Sequence, residues 1–146
     1  MKKKPLRIFS DSVIHYFTNF NIPLPKIKNT KKKDKFELYE LSCLIKFTGS
    51  KGGFCVVTSS REFLVQLINL ILHQKDFEED TLQEALAEFS NIITGNAGRE
   101  LHPDYDILPP INNIDKIKEY LQVNKPTGMF IVEYNSSKCK IFLGLE

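Results

Sequence analysis

The sequence predicts an α+β domain in which helices pack on a largely antiparallel sheet. Two pairs of apolar segments with a spacing of mostly two residues, each pair joined by a short polar or glycine-rich turn, indicate two β-hairpins. Segments with helical apolar spacing lie before the first hairpin and between the two. With 146 residues, 42% of them apolar, the chain has the size of one domain with a single core, so we interpret residues 1–146 as one domain.

The N-terminal part predicts one helix followed by a basic loop. Residues 10–12 can cap the helix, so residues 1–9 are interpreted as a tail. Pro23 and Pro25 stop the helix. Residues 26–35 hold six Lys and almost no apolar side chain, which is typical of a solvated loop.

The first hairpin and the helix after it follow from local patterns. Alternating apolar residues over 36–47 predict a strand, the glycines of 49–53 predict a turn, and residues 54–58 predict the returning strand. The stretch Ser59-Ser-Arg-Glu62 fits a capping box, in which a Ser hydroxyl and Glu62 satisfy free amides at a helix start. The apolar residues 63–72 then form the helix.

The later elements are predicted in the same way. The following list gives them in chain order: a helix over 81–97 capped by Asp80 or Thr81, extended chain around 104–110, a short helix over 114–121, and a terminal hairpin of residues 128–134 and 138–145.

Charge and cysteine content exclude several classes of protein. The net charge of +2 divides into +8 over residues 1–35 and −6 over residues 36–146, which argues against a uniformly basic nucleic-acid binder. Cys43, Cys55 and Cys139 lie in apolar stretches without a CxxC spacing, so we expect buried, reduced thiols. No apolar run approaches the length of a signal-peptide core or a membrane span. We therefore expect a cytoplasmic protein that does not contact membranes.

The helix over 81–97 carries the most informative pattern. One arc of about 140° is apolar and faces the core. It comprises Leu82, Ala85, Leu86, Phe89, Ile92, Ile93 and Ala97. The opposite face presents Glu84, Glu88, Asn91 and Gly95, with Ala87 and Thr94 at its margin.

This opposite face has two interpretations. A solvated helix surface requires no further explanation, since Glu is common there. However, Asn is a poor residue inside a helix and Gly costs about 1 kcal/mol relative to Ala, so the face gives up helix stability. An exposed carboxylate at Glu88 beside the carboxamide of Asn91, with small residues nearby, suits a surface on which another protein docks.

These residues also carry a family resemblance. The stretch Glu88-Phe-Ser-Asn91-Ile-Ile-Thr-Gly95 resembles the Glu-x-x-Asn-x-x-x-Gly helix of the CheX, CheC and FliY family of chemotaxis phosphatases. Pro109-Pro110 follows where that family has its proline, and the order of elements over most of the chain is similar. The resemblance implies a CheC/CheX-like α+β fold.

It also implies an activity. Members of the family dephosphorylate the aspartyl phosphate of a CheY-like response regulator, so the resemblance implies a phosphatase. It implies that Glu88 pairs with the active-site lysine of the regulator and that the Asn91 carboxamide orients water. The Mg²⁺ belongs to the regulator, so no cofactor or metal site is expected in this chain. Glu84, Ala87, Thr94 and Gly95 are expected to contact the partner.

Two features refine the resemblance. The position four before Glu88 is acidic Glu84, where a small or hydroxyl residue is usual, and this adds a charge to the docking face. The preceding helix has Gln66 and Asn69 at the same spacing but no acid, which is the CheX arrangement with one active helix. CheX proteins tend to dimerise, so the resemblance implies a homodimer.

Three alternatives remain open at this stage. Glu84 leaves room for a module of the same fold that binds a receiver domain with weak or no catalysis. Residues 93–101 fit the Ile-x-Gly-x-x-Gly-x-x-Leu pattern of a KH domain, which binds single-stranded nucleic acid, although His102-Pro103 and nearby acids disfavour this. The lysines of residues 26–35 could contact nucleic acid, but a solubility role is the simpler interpretation.

Overall fold

The computed structural model describes residues 4–30, 37–50, 52–73 and 77–145. Within these ranges the chain forms four helices and six strands. In chain order they are α1 Pro5–Asn19, β1 Lys26–Asn29, β2 Leu41–Thr48, β3 Gly53–Ser59, α2 Arg61–Leu72, α3 Glu79–Leu101, β4 Asp106–Ile107, α4 Ile114–Val123, β5 Gly128–Tyr134 and β6 Ser137–Leu145.

The strands form one sheet in the order β1-β5-β6-β3-β2-β4, and every neighbouring pair is antiparallel. The hairpins β2–β3 and β5–β6 join at its centre, where Val56 of β3 faces Phe142 of β6. All seven residues of β3 are buried, as expected for a strand covered on both faces. The α+β class and the antiparallel sheet predicted from the two hairpins are therefore confirmed.

Helices cover the two faces of the sheet unequally. The first face holds the main core, to which α1, α2 and α3 contribute large apolar side chains such as Phe9, Phe63 and Phe89. The second face carries a smaller cluster that α4 covers with Ile117, which is fully buried. Within the described part of the chain, no helix is both long enough and apolar enough to cross a membrane.

Two predictions for the N-terminal part are wrong. The helix begins at Pro5, inside the expected tail of residues 1–9, because proline suits the first helical position and Phe9 supplies a fully buried side chain. Lys26–Asn29 is not loop but the edge strand β1. Of the remaining predicted loop residues, Thr30 follows the strand without regular structure, and residues 31–35 lie outside the described residues.

The lysines of β1 explain why its pattern resembled a loop. Both Lys26 and Lys28 are exposed on a strand that pairs on one side only, and Lys28 forms an ion pair of 2.9 Å with Glu133 of β5. Charged side chains are common on such edges because they discourage further strand pairing. Hydrophobic alternation is therefore too weak in β1 to predict the strand.

Several predicted boundaries also shift. The first strand of the β2–β3 hairpin begins at Leu41, so the predicted strand residues 37–40 are not part of it, and residue 36 lies outside the described residues. Tyr39 instead donates its backbone N–H to the Thr58 hydroxyl. The predicted box with Ser59 does not form, because Ser60 is the residue that caps α2 by accepting from the Phe63 N–H at 3.2 Å. The short helix predicted over 114–121 extends to residue 123.

The motif helix α3 is longer than predicted. It has 23 residues, beginning at Glu79 and ending at Leu101. Asp80 and Thr81 lie inside it rather than at its cap, and the side chain of Glu78 at the capping position makes no capping hydrogen bond. Glu79 and Asp80 instead occupy the first turn, where carboxylates interact favourably with the helix dipole.

A pair of glycines on α3 yields a stability prediction. A Cβ at Gly98 would overlap the Tyr105 ring, which packs against Phe47 with ring centroids 4.9 Å apart. We expect Gly98→Ala to lower the free energy of unfolding by about 1–2 kcal/mol, since overpacking outweighs the gain in helix propensity. A Cβ at Gly95 meets only the Ile107 Cδ1 at 4.0 Å, so Gly95→Ala is expected to raise that free energy by up to about 1 kcal/mol.

Chemical denaturation of the two variants checks this contrast. Equal stability of Gly98→Ala and the wild type would mean that the ring moves aside without cost.

Candidate functional site

Helix α3 lies between α1 on one side and the chain around Tyr105 on the other. Helix α1 runs antiparallel to it, and the Tyr16 ring meets the Phe89 ring edge-on with centroids 4.7 Å apart. The buried face consequently differs from the predicted apolar stripe, because Ala85 and Ile92 are only half-buried whereas Ser90, Thr94 and Gly98 are buried. The buried residues of α3 are Leu82, Leu86, Phe89, Ser90, Ile93, Thr94, Ala97 and Gly98.

Two hydrogen bonds set the rotation of α3 about its axis. The Ser12 hydroxyl of α1 donates to the Ile93 carbonyl at 2.8 Å, and the Tyr105 hydroxyl donates to the Thr94 carbonyl at 3.0 Å. These carbonyls are neighbours, and the two donors reach them from different elements. The face of α3 that remains exposed is therefore fixed at the centre of the helix.

The exposed face is a polar stripe, which we call the α3 stripe. Glu84, Glu88, Asn91 and Arg99 are exposed, and Gly95 between the last two is half-buried. Steps of three and four residues place all five on one side of a helix. Glu88 and Asn91 are adjacent on this stripe, with about 4.5 Å of rise between them. The structure therefore brings together the four exposed-face residues that the sequence predicts.

Two residues at the margin of the predicted face differ from each other. Ala87 is half-buried and borders the α3 stripe. Thr94 is fully buried, so the prediction that it contributes to an accessible contact surface is wrong. The helical projection placed Thr94 at the margin, but α3 packs on the sheet with the Thr94 side chain facing the Cys55 thiol of β3. This long-range packing is invisible in the pattern of one helix.

The exposed face predicted from the sequence did not include Arg99. It lies four residues after Gly95 and is exposed. The signal was present in the same periodicity, but the predicted helix ended at residue 97.

The layer of side chains beneath the α3 stripe is tightly packed and apolar. Burial raises the pKa of the Tyr16 hydroxyl, and the negative charge of Glu88 raises it further. Tyr16 therefore stays protonated at neutral pH. Glu88 rests on a packed aromatic layer that includes the fully buried Phe89, so its backbone has little freedom to move.

Other catalytic chemistries find no support in the described residues. No three His, Cys, Asp or Glu side chains within the described ranges come together as a metal-binding group. The half-buried His102 ring contacts the exposed Asp104 carboxylate just after α3. Burial raises the pKa of Cys43 to about 11 and of Cys55 to about 12, which suppresses the thiolate form.

The KH alternative is wrong. Its phosphate-clamping segment would have to be a loop between Gly95 and Gly98, but both glycines lie within the continuous helix α3. Gly98 is buried against Tyr105, so it is not available to a nucleic-acid backbone.

Comparison with solved structures defines the class. A CheC-like superfamily protein from Shewanella sp. PV-4 is 19% identical, with a TM-score of 0.72 over 100% of this chain and 99% of that chain. Chemotaxis protein CheX from Vibrio vulnificus is 17% identical, with a TM-score of 0.72 over 99% and 100%. CheX in a CheX–CheY–BeF₃–Mg²⁺ complex from Borrelia burgdorferi is 19% identical, with a TM-score of 0.69 over 98% of each chain. The protein therefore has the CheC/CheX-like fold.

The family follows from the sequence itself. The model of the family described as "Chemotaxis phosphatase CheX" matches residues 41–131, which include β2, α3 and most of β5. No curated protein sequence is significantly similar to the chain. The chain belongs to the CheX family of chemotaxis phosphatases, which confirms the resemblance of the Glu88–Gly95 motif.

The buried cysteines yield a test of the thiol chemistry. At pH 8 a thiol with a pKa of about 11 is thiolate in roughly one molecule in a thousand, and burial blocks access as well. We expect none of the three thiols to react with a chromogenic disulfide reagent in the native protein, and all three to react after unfolding. A native thiol that reacts as fast as free cysteine would reveal an accessible nucleophile and contradict this description.

Proposed function

We propose that this protein accelerates hydrolysis of the aspartyl phosphate of a CheY-like response regulator, with Glu88 and Asn91 as the catalytic pair. The observation that carries the proposal is the position of these two side chains, which are exposed and adjacent on a helix whose rotation is fixed by buried contacts. Membership of the CheX phosphatase family supports the reaction class. The CheX of the Borrelia burgdorferi complex is bound to CheY, which supports the choice of partner.

The chemistry suits a carboxamide and a carboxylate. An aspartyl phosphate is an activated acyl phosphate, and its hydrolysis breaks the bond between phosphorus and the aspartyl oxygen while a water oxygen bonds to phosphorus. The reaction needs an in-line water and compensation of charge more than a new nucleophile. The Asn91 carboxamide can accept from a water and donate to it, so it can hold that water in line.

Glu88 has a different role in the proposal. Its carboxylate pairs with a lysine beside the phosphoryl group of the regulator, and this contact positions α3 over the site. A charge-assisted contact that is shielded from water when the proteins meet is stronger than the same pair in solvent. The Mg²⁺ required for the reaction is expected to sit in the acidic pocket of the regulator, and the proposal needs no cofactor in this chain.

The division of roles predicts unequal effects of two substitutions. Asn91→Ala is expected to abolish acceleration at any protein concentration, because water positioning is lost in the transition state. Glu88→Gln keeps the shape of the side chain but not its charge, so we expect mainly a higher half-saturating concentration, by roughly tenfold. Time courses of phosphate loss from a phosphorylated CheY-type regulator measure both parameters.

Helix α2 offers matched controls for these variants. Asn69 is exposed on a helix and Glu62 is exposed in the first turn of the same helix, but neither belongs to the α3 stripe. Asn69→Ala and Glu62→Gln are expected to leave both kinetic parameters within about twofold of the wild type. An Asn91→Ala variant with the wild-type rate would refute the proposed mechanism.

A substitution at Glu84 distinguishes the proposed phosphatase from the alternative, a binding module with weak or no catalysis. This residue is exposed one helical turn before Glu88 and adds a second carboxylate to the stripe. If that charge restrains approach to an acidic regulator pocket, Glu84→Ser raises the rate. Wild-type binding without acceleration, before and after this substitution, would favour the module.

We also propose that the protein forms a homodimer through an edge of its sheet, as the family resemblance implies. Strands β1 and β4 are the two edges, and an edge strand presents backbone groups that can pair with another chain. Because the exposed lysines of β1 discourage such pairing, β4 is the favoured edge. Light scattering coupled to gel filtration is expected to give roughly twice the monomer mass of 16.8 kDa. A monomer mass at about 100 μM protein would contradict the dimer.

A further inference from the structure

The charge of the side chains on the α3 stripe changes sign along its length. Glu84 and Glu88 lie in its N-terminal half, and Arg99 lies near its C-terminal end. Among the described residues no ion pair or side-chain hydrogen bond involves Arg99, whereas Arg7 and Arg61 each pair with a carboxylate. The sole cation of this stripe is therefore available to a partner.

The position of Arg99 also makes it accessible from two sides. It lines a cleft of about 260 Å³ together with Gly95, His102 and Asp106, between the end of α3 and β4. On its other side it lines a groove of about 360 Å³ between α1 and α3. That groove contains two carboxylates, those of Asp11 and Glu100. Both depressions open beside the stripe, so a protein docked over Asn91 can reach the guanidinium without displacing a packed side chain.

We infer that Arg99 is a docking residue that binds a carboxylate on the rim of the phosphorylated regulator and so orients that partner on the α3 stripe. The inference rests on the proposed function, and it adds a second, oppositely charged contact to the lysine contact of Glu88. The regulator must then present an acid displaced from its active-site lysine by the distance between Glu88 and Arg99.

That distance explains how the contact sets orientation. Eleven residues of helix separate the two positions, which corresponds to about 16 Å of rise. This exceeds the Debye length of about 8 Å at physiological salt, so the two charges barely affect each other in the free protein. A partner that docks in the reverse direction places its lysine against Arg99 and its acid against Glu88, and both contacts become repulsive.

A purely local role for Arg99 is the competing explanation. A cation in the last turn of a helix interacts favourably with the helix dipole, by about 0.3–1 kcal/mol. That role affects stability but not the affinity for a partner. The two explanations therefore predict different results when binding and stability are measured together.

The experiment measures the affinity of the full chain for a CheY-type regulator carrying beryllofluoride and Mg²⁺, a stable mimic of the phosphorylated form, and the rate of phosphate loss at saturation. At about 20 mM salt we expect Arg99→Glu to weaken binding at least tenfold and Arg99→Lys by less than about threefold. At about 300 mM salt the loss of affinity caused by Arg99→Glu is expected to fall to about twofold. The rate at saturation stays near the wild-type value for both variants.

Lys118→Glu is the matched control. Lys118 is exposed on α4, which packs on the other face of the sheet, and its reversal changes the net charge by the same amount. We expect it to weaken binding less than twofold at low salt. An equal loss of affinity in Lys118→Glu and Arg99→Glu would mean that the effect reflects net charge alone. That result would overturn the inference.

The remaining outcomes separate this inference from the proposed function. If the wild type accelerates phosphate loss but Arg99→Glu binds the loaded regulator with unchanged affinity, the inference alone is overturned. Binding that depends on Arg99, without acceleration by the wild type, overturns the proposed function alone. A wild type that does not bind the loaded regulator overturns both.

Discussion

The rotation of α3 about its own axis is the constraint on which the site depends. The hydroxyls of Ser12 and Tyr105 donate to the neighbouring carbonyls of Ile93 and Thr94, and the layer beneath is packed with aromatic rings. A turn of the helix by one residue position, about 100°, would bury Glu88 and Asn91, the proposed catalytic pair, and expose core residues. The same contacts that complete the core therefore decide which side chains reach a partner.

This arrangement gives a short surface motif the rigidity that the proposed chemistry requires. Glu88 and Asn91 lie near the middle of a 23-residue helix, far from its frayed ends, so their separation varies little. Hydrolysis of an acyl phosphate gains from accurate placement of a water, and a rigid platform lowers the entropic cost of that placement. In the proposed mechanism the sheet and the flanking helices contribute to catalysis by holding the exposed face of α3 in place.

The sequence predicts the parts of this protein that depend on local patterns. Both hairpins, the α+β class and the exposed positions of Glu88 and Asn91 follow from apolar spacing and a short motif. The features that it misses depend on contacts between distant segments. Thr94 is buried because its side chain faces Cys55 of β3, and β1 is a strand because β5 supplies its partner. Arg99 was missed because the predicted helix ended two residues before it.

In the proposed mechanism Asn91 of the α3 stripe acts on the water, and Glu88 acts on the partner. The most direct measurement is the dissociation constant of Asn91→Ala for a regulator loaded with beryllofluoride and Mg²⁺, which contains no phosphate to hydrolyse. The account predicts an affinity within about threefold of the wild type, since Asn91 contributes mainly to the transition state. A loss of affinity of tenfold or more would contradict the account, because Asn91 would then be a docking residue.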